Sequence, residues 1–248
     1  MEHAGELAVI FFALAAGGFL KGAVGAGAPV IAIPVLVLFF DVPFAVAVMV
    51  IPNLFSNLYQ GWQHRAKALP ARFTWVFGVV TAAGALAGSI VLAKVSPDVL
   101  LVAVAAAVFA YIGFRLARPD WVLSLPAARR ILVPVGLTSG LLQGGTGISA
   151  PVILTYFNSM RLGRETFIAT ISVAFALMSV VQIPTLWAYG ILDGTRTLYG
   201  LLAVLPLLAA MPVGAWASKH IPAKQFDRLI LILLAIIAAR MIWKAVAG

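Results

Sequence analysis

The chain has 248 residues, of which 63% are hydrophobic and 10% are charged, and this excludes a soluble domain because so few charged side chains cannot cover so much apolar surface. The apolar runs are continuous and do not alternate with polar residues, which excludes a membrane β-barrel. The net charge of +9 comes from lysines and arginines between the apolar runs, where such residues orient a membrane protein, so the lipid bilayer is the predicted partner and no nucleic acid is expected.

Ten apolar segments follow one another along the chain. Six of them approach or exceed the ~20 residues that a helix needs to cross the hydrocarbon core. The other four form two pairs of short segments, and each pair flanks a cluster of glycines. The ten segments are residues 6–20, 28–40, 43–62, 72–93, 97–117, 131–143, 147–160, 164–189, 196–218 and 222–246.

The two glycine clusters lie in related stretches, GGFLKGAVGAGAPVIAIP at residues 17–34 and SGLLQGGTGISAPVILTY at residues 139–156. A shift of 122 positions places Lys21 on Gln143. A helix of roughly 12–15 residues covers about 18–22 Å, which is less than the ~30 Å hydrocarbon core. Each short pair is therefore predicted to be two half-helices that meet at a glycine-rich tip, as a re-entrant hairpin or as one broken span.

The matching positions of the two pairs predict two repeats, residues 1–117 and 131–248, joined by a cytoplasmic linker at residues 118–130. Each repeat would contain one glycine-broken hairpin, at residues 6–40 and 131–160, followed by three spanning helices. Because three crossings are an odd number, the two repeats would be inverted relative to each other. The predicted fold class is therefore an all-α polytopic membrane protein with two inverted repeats, a pattern in which interrupted helices indicate a transporter's binding site.

The distribution of lysine and arginine predicts the orientation in the membrane. The odd-numbered loops contain 13 of the 17 lysines and arginines, and the even-numbered loops and the two tails contain the other four. Positively charged loops usually stay in the cytoplasm. We therefore expect both termini on the outside.

Lys21 is the most informative residue of the first tip. An ammonium group in the middle of a bilayer costs roughly 2.5–3.5 kcal/mol on insertion scales, so intramembrane lysines usually have a function. We interpret Lys21 as the residue that attracts a small anion, and Gly22, Gly25 and Gly27 as positions that expose backbone N–H groups to it. The alternative interpretation is a lysine near a helix end that reaches the membrane surface with its long side chain.

Both tips are expected to lead into helix N-termini, near Pro29 in the first tip and near Pro151 in the second. A helix N-terminus carries partial positive charge and free N–H groups, and both favour anions. We therefore predict that the two tips form two halves of one anion site. The other candidate residues of the second tip are Gln143, Gly144, Thr146, Gly147 and Ser149.

Polar residues lie on one broad face of the third segment. Asn53 and Asn57 are the two candidates for lining a substrate path, and the alternative is that they only form hydrogen bonds between helices, which contribute about 0.6–2 kcal/mol each in membranes. Gln60 and Gln182, which coincide under the same shift, are weaker candidates because they lie nearer the segment ends.

The acidic residues and histidines argue against catalysis and against a metal site. All eight acidic residues lie in tails, loops or first helical turns, so no carboxylate proton relay is apparent. The three histidines are far apart in sequence, and the chain has no cysteine. We therefore expect no metal, no cofactor and no enzymatic activity.

The chain resembles the sulfite exporter TauE/SafE-like membrane transporters, also called toluene-sulfonate uptake permeases. The resemblance rests on the motif GFLKGAVGAGAPVIAIP, its echo SGLLQGGTGISAPVIL and the stretch PNLFSNLYQGW, and it covers essentially the whole chain. It transfers family residues only to Lys21 with its glycines and to Gln143 with Gly144 and Gly147.

The resemblance implies transport of a small sulfur-containing anion, such as sulfite, thiosulfate, sulfoacetate or another sulfonate, across the bacterial inner membrane. We favour export by a secondary transporter, because no buried carboxylate suggests proton coupling and a negative cell interior drives anions outward. The alternative is an anion channel in which the tips form the selectivity filter. The sequence specifies neither the ligand nor the oligomeric state, and a homodimer is an alternative that it does not exclude.

Overall fold

A computed structural model describes residues 2–117, 122–220, 231–240 and 243. In these ranges the chain forms ten α-helices and one short 3₁₀ helix, Arg65–Lys67, and contains no strand. The α-helices are α1 (Glu2–Val24), α2 (Ala28–Phe39), α3 (Val42–Gln63), α4 (Ala71–Lys94), α5 (Pro97–Ala117), α6 (Leu125–Thr146), α7 (Ala150–Ser159), α8 (Arg164–Ala188), α9 (Gly194–His220) and α10 (Leu231–Arg240).

Six helices in the described ranges are long and apolar enough to cross a membrane, namely α1, α3, α4, α5, α8 and α9. The helical, multi-pass class predicted from composition is therefore confirmed. The set of spanning helices differs from the predicted one. The first segment was predicted to be a half-helix, whereas α1 is long and apolar enough to span. The predicted last span, residues 222–246, falls mostly outside the described residues.

The lengths of the paired helices correct one prediction. α2 and α7 are short, as expected, with 12 and 10 residues. α1 and α6 have 23 and 22 residues, so the prediction that their segments end at residues 20 and 143 is wrong. Both helices continue through the first glycines of their clusters, and α6 also begins earlier, so that residues 125–130 of the predicted linker are helical.

Each long helix ends at a three-residue break, which we call the first tip (residues 25–27) and the second tip (residues 147–149). Gly25 and Gly27 have φ of 93°, and Gly147 has φ of 74°. This left-handed backbone is favourable for glycine and strained for residues with a Cβ atom, so Gly25 ends α1 and Gly147 ends α6, while Gly27 leads the chain into α2.

The short helices start where the sequence predicts. α2 begins at Ala28 after the N-cap Gly27, and α7 begins at Ala150 after the N-cap Ser149. Pro29 and Pro151 lie in the first turn, where proline costs nothing because the first N–H groups of a helix have no partner within it. Each tip is therefore followed by a helix N-terminus.

The tips pack against equivalent helices. A Cβ atom on Gly25 would lie 2.6 Å from Cγ1 of Ile168 in α8, and one on Gly147 would lie 3.3 Å from Cγ2 of Val46 in α3. The two glycines differ by 122 positions, and so do the two partners. The first tip thus lies on α8 as the second tip lies on α3.

Glycines also bring α1 against α9 and α6 against α4. A Cβ atom on Gly18 or Gly22 of α1 would collide with the carbonyl oxygen of Leu207 or Met211 in α9. In α6, a Cβ atom on Gly140 or Gly144 would collide with the carbonyl oxygen of Thr81 or Ala85 in α4. The two long helices therefore touch their partners backbone to backbone, which is the packing that small residues allow in membranes.

The register of these contacts is the same in both pairs. The positions of α6 exceed those of α1 by 122, and the contacted positions of α9 exceed those of α4 by 126. The shift of 122 positions therefore relates the two tips and their long helices. The contacted positions of α9 and α4 differ by 126, which is four residues or about one helical turn more.

Large apolar side chains face outward and polar side chains face inward. Phe12 and Leu205 are about 70% exposed, whereas the amide side chains of Asn53 and Gln182 are almost fully buried. A soluble protein has the opposite arrangement. The interior between α1, α3, α6 and α8 is therefore the polar part of the molecule and the place to look for a site.

Candidate functional site

Lys21 lies in the last turn of α1 and is only 1% exposed. Its Nζ donates one hydrogen bond of 2.7 Å to Oδ1 of Asn57 in α3. An ammonium group has three N–H donors, and among the described residues this bond is its sole hydrogen bond and no carboxylate pairs with it. The side chain points into the protein, which agrees with the interpretation of Lys21 as a buried charge and disagrees with a lysine that reaches the surface.

The two asparagines of α3 continue the network away from Lys21. Nδ2 of Asn57 donates to Oδ1 and to the backbone oxygen of Asn53, at 2.9 and 2.7 Å. Nδ2 of Asn53 donates to Oγ of Ser179 in α8 at 3.2 Å, and Ser179 donates to the backbone oxygen of Phe175. A buried chain of hydrogen bonds therefore connects Lys21 at the end of α1 to Ser179 in α8 through the two asparagines of α3.

The last turn of α1, just before the first tip, is held by a second cation, Arg164. Nη2 of Arg164, the first residue of α8, donates to the backbone oxygens of Gly22 and Ala23 at 2.8 and 3.3 Å. These oxygens belong to the last turn of α1, where carbonyl groups lack partners within the helix and a positive charge is favourable. Arg164 therefore stabilises the end of α1 close to Lys21.

The second tip is neutral. Oε1 of Gln143 accepts a hydrogen bond of 3.0 Å from Oγ of Ser149, across the tip. Oγ1 of Thr146 accepts from the N–H of Ile148 at 3.2 Å. Together with the backbone bond from the N–H of Gly147 to the oxygen of Gln143, these two bonds hold the break between α6 and α7, and no charged side chain takes part in them.

A small cavity lies between the second tip and Asn53. Its polar lining comes from Asn53, Gln143, Gly147 and Gln182. Its volume of about 10 Å³ is close to that of one water molecule, so a substrate of four or more heavy atoms does not fit unless the helices move. Its apolar lining consists of Ile33, Val46, Met49 and Val50.

A larger cleft of about 560 Å³ lies beside the last turn of α1. Gly22, the next residue after Lys21, lines it together with Gln60, Arg164 and the acidic Glu165. Asn53 lines the small cavity and Gln60 lines the cleft, and Asn57 lies between these two positions on the same face of α3. Lys21 and Asn57 themselves line neither of the two spaces.

Twelve of the thirteen predicted site residues are buried, and Pro151 is half-buried. The structure connects Lys21, Asn57 and Asn53 by hydrogen bonds and brings Asn53, Gln143 and Gly147 to one cavity. Gly22 and Gly144 have a packing role as well, because they allow α1 and α6 to touch α9 and α4. The role of these residues in binding stays a prediction.

The structure shows surroundings of two residues that the sequence does not indicate. Arg164 counted only as a loop cation, and it binds the end of α1. Gln182 ranked low because it lies near a segment end, and it lines the cavity with Asn53 and Gln143. Its role in binding stays a prediction, for which its coincidence with Gln60 under the shift of 122 is the signal in the sequence.

The chain matches the family model described as "Sulfite exporter TauE/SafE" over residues 9–241. No curated protein and no solved structure matches the chain. The match covers nearly the whole sequence and therefore includes both tips, α3 and α8. The family name indicates a membrane transporter that exports sulfite or a related sulfur anion. On this evidence the chain belongs to the sulfite exporter TauE/SafE family.

Proposed function

We propose that the chain is a secondary transporter that exports a small sulfur-containing oxyanion across the bacterial inner membrane. The substrate binds between the two tips, close to Lys21, Asn57 and Asn53 on one side and to Gln143 on the other. The two halves of the chain are inverted repeats, and each tip is the turn of a hairpin inside the membrane.

The repeat arrangement is supported by the reciprocal contacts of the glycines. α1 packs on α9 as α6 packs on α4, and the tips pack on α8 and α3 with the same separation of 122 positions. Two halves with related sequences and exchanged contacts are typical of transporters in which the site lies at the interface of the repeats.

The observation that carries the proposal is the buried charge of Lys21. Its ammonium has one neutral partner among the described residues, and buried charges in proteins are normally paired. A substrate anion that approached Nζ would neutralise this charge and accept hydrogen bonds from its free N–H groups. Anion binding therefore offsets the free-energy cost of a buried charge that has no charged partner in the protein without substrate.

The positions of the cleft and the cavity suggest how the substrate passes. The cleft next to Gly22 is large enough for a small oxyanion, whereas the cavity next to Gln143 is not. The anion would first compete with Oδ1 of Asn57 for Lys21, and the release of Asn57 would then open the way to the second tip.

Substitution of Lys21 by methionine tests the proposal. Methionine has a similar volume without the charge, so the variant should fold and should bind anions at least about thirtyfold more weakly, since loss of one partner of a buried charge pair costs roughly 2–5 kcal/mol. We would titrate the purified full chain in detergent with sulfite, thiosulfate, sulfoacetate, taurine and sulfate by calorimetry.

Lys94 provides the matched control, because it lies in the last turn of α4 and is exposed. Lys94→Met should bind the anions like the wild-type chain. Wild-type affinity in the Lys21→Met variant would contradict the proposed site. In liposomes, saturable flux with countertransport would support a transporter, and single-channel currents would instead support the anion channel.

A further inference from the structure

Gln182 of α8 is a buried amide whose hydrogen-bonding capacity is not used. It is 1% exposed, and its Nε2 has no hydrogen-bond partner among the described residues. It lines the small cavity with Asn53, Gln143 and Gly147. A buried donor without a partner is costly, so such a group in a cavity indicates a ligand that the empty protein lacks.

The neighbouring acceptor atoms are already engaged. Oδ1 of Asn53 accepts from Asn57, and Oε1 of Gln143 accepts from Ser149. Nε2 of Gln143 donates no hydrogen bond to a described residue. Among the described residues, Nε2 of Gln182 and Nε2 of Gln143 therefore lack acceptors, and Oε1 of Gln182 is the one side-chain oxygen of the three amides that accepts no bond. Donor groups exceed free acceptors around the cavity, so the ligand that satisfies them must bring acceptor atoms.

An oxyanion oxygen is such an acceptor. The cavity has room for about one oxygen atom in this structure, so only one end of the substrate would reach it before the helices move. A sulfonate or sulfite group presents several equivalent oxygens, and one of them can face the amides while another faces Lys21. An ammonium group such as that of taurine would add donors and does not match this end of the site.

From these observations we infer that Gln182 binds the substrate directly, by donating a hydrogen bond from Nε2 to one oxygen of the oxyanion. Gln182, Gln143 and Asn53 form a neutral amide subsite that is connected to Lys21 through the hydrogen bonds of Asn57. The inference rests on the proposed function and adds a binding residue from α8 to it.

The experiment compares Gln182→Met with Thr185→Val in the purified full chain. Methionine keeps the length of the side chain and removes the donor. Thr185 is the control, because it lies about one turn from Gln182 on α8, its hydroxyl donates to the backbone oxygen of Val181 in the same helix, and it lines neither the cavity nor the cleft. Titration with sulfite and methanesulfonate gives the affinities, and thermal unfolding with and without anion gives the stabilisation by the ligand.

We expect Gln182→Met to weaken binding of both anions about ten- to one-hundredfold, the usual loss for a hydrogen bond to a charged group, and Thr185→Val to weaken it less than about threefold. The unfolding temperature of Gln182→Met without ligand should equal or exceed that of the wild-type chain, because an unsatisfied donor has been removed. A role in holding only an ordered water would lower this temperature and leave the affinity unchanged, and that result would overturn the inference.

Wild-type affinity in Gln182→Met would overturn the inference and leave the proposed function standing, provided that Lys21→Met loses binding. If the wild-type chain binds none of the anions, the proposed function itself fails. Should the methionine variant not fold, Gln182→Glu keeps the shape and places an acceptor at the same position. It should bind more weakly than the wild-type chain, and equal affinity would overturn the inference.

Discussion

The hydrogen bond between Lys21 and Asn57 sets the charge of the site. Asn57 is neutral, so it orients the ammonium without cancelling its charge, and its own Nδ2 is held by Asn53. An acidic residue at the same position would form an ion pair inside the protein. The choice of an amide therefore keeps the positive charge available for a ligand.

Asn57→Asp tests this argument. The carboxylate has nearly the shape of the amide and would pair with Lys21, so the variant should fold normally and lose most anion binding, by at least about tenfold. Calorimetric titration with sulfite measures the loss. Asn158→Asp, at an exposed position of α7, is the control for the added charge. Undiminished sulfite affinity in Asn57→Asp would show that Lys21 does not meet the anion.

The sequence predicted the members of this network but not its bonds. Lys21 was expected to be functional because a charge in an apolar segment is costly, and the asparagines because they share one helical face. Their pairing joins residues 36 positions apart on different helices, and no local pattern encodes such a contact. The position of Gln182 beside the cavity likewise depends on contacts between helices that no local pattern encodes.

At the scale of helices, the glycines have two separate functions. Gly25, Gly27 and Gly147 form the breaks between helices through their left-handed backbone, whereas Gly18 and Gly140 lie within helices and allow close packing. The sequence shows both kinds as one cluster. This explains why the breaks were placed too early: α1 and α6 continue through glycines whose neighbours are the backbones of α9 and α4.

Gly18→Ala and Gly140→Ala should destabilise the protein to a similar extent, because each new methyl group would collide with a carbonyl oxygen of the partner helix. We expect a loss of about 1–3 kcal/mol each, the usual cost of overpacking. Thermal or denaturant unfolding in detergent measures it. Gly113→Ala in α5 is the control, since nothing lies within 4 Å of the added atom. Destabilisation by one of the two glycine variants only would contradict equivalent packing.

At the scale of the whole molecule, the absence of a carboxylate pairing with Lys21 among the described residues bears on energetics. A proton-coupled transporter usually carries acidic or histidine relays in its spans. An anion can leave a negatively charged cell without them, because the membrane potential contributes about 2.3 kcal/mol per charge per 100 mV. The composition predicted the multi-pass helical class correctly because an apolar exterior is a property of the whole chain.

Liposomes that contain the full chain and sulfite should therefore release sulfite faster when the inside is made negative with valinomycin and a potassium gradient. Efflux should rise severalfold with a potential of about 100 mV, because the driving force per charge is about 2.3 kcal/mol. A pH gradient of either sign without a potential should not lead to sulfite accumulation. Accumulation driven by the pH gradient alone would contradict uncoupled export.

The contacts between backbones also bear on which parts can move. α1 cannot slide along α9, nor α6 along α4, without separating surfaces that meet at carbonyl oxygens. Each of these couples takes one helix from the N-terminal half of the chain and one from the C-terminal half. If the protein alternates between two openings, the rigid bodies are these mixed couples and not the sequence halves. Spectroscopic labels on α1 and α9 should then keep a constant separation during turnover, while labels on α1 and α6 should not.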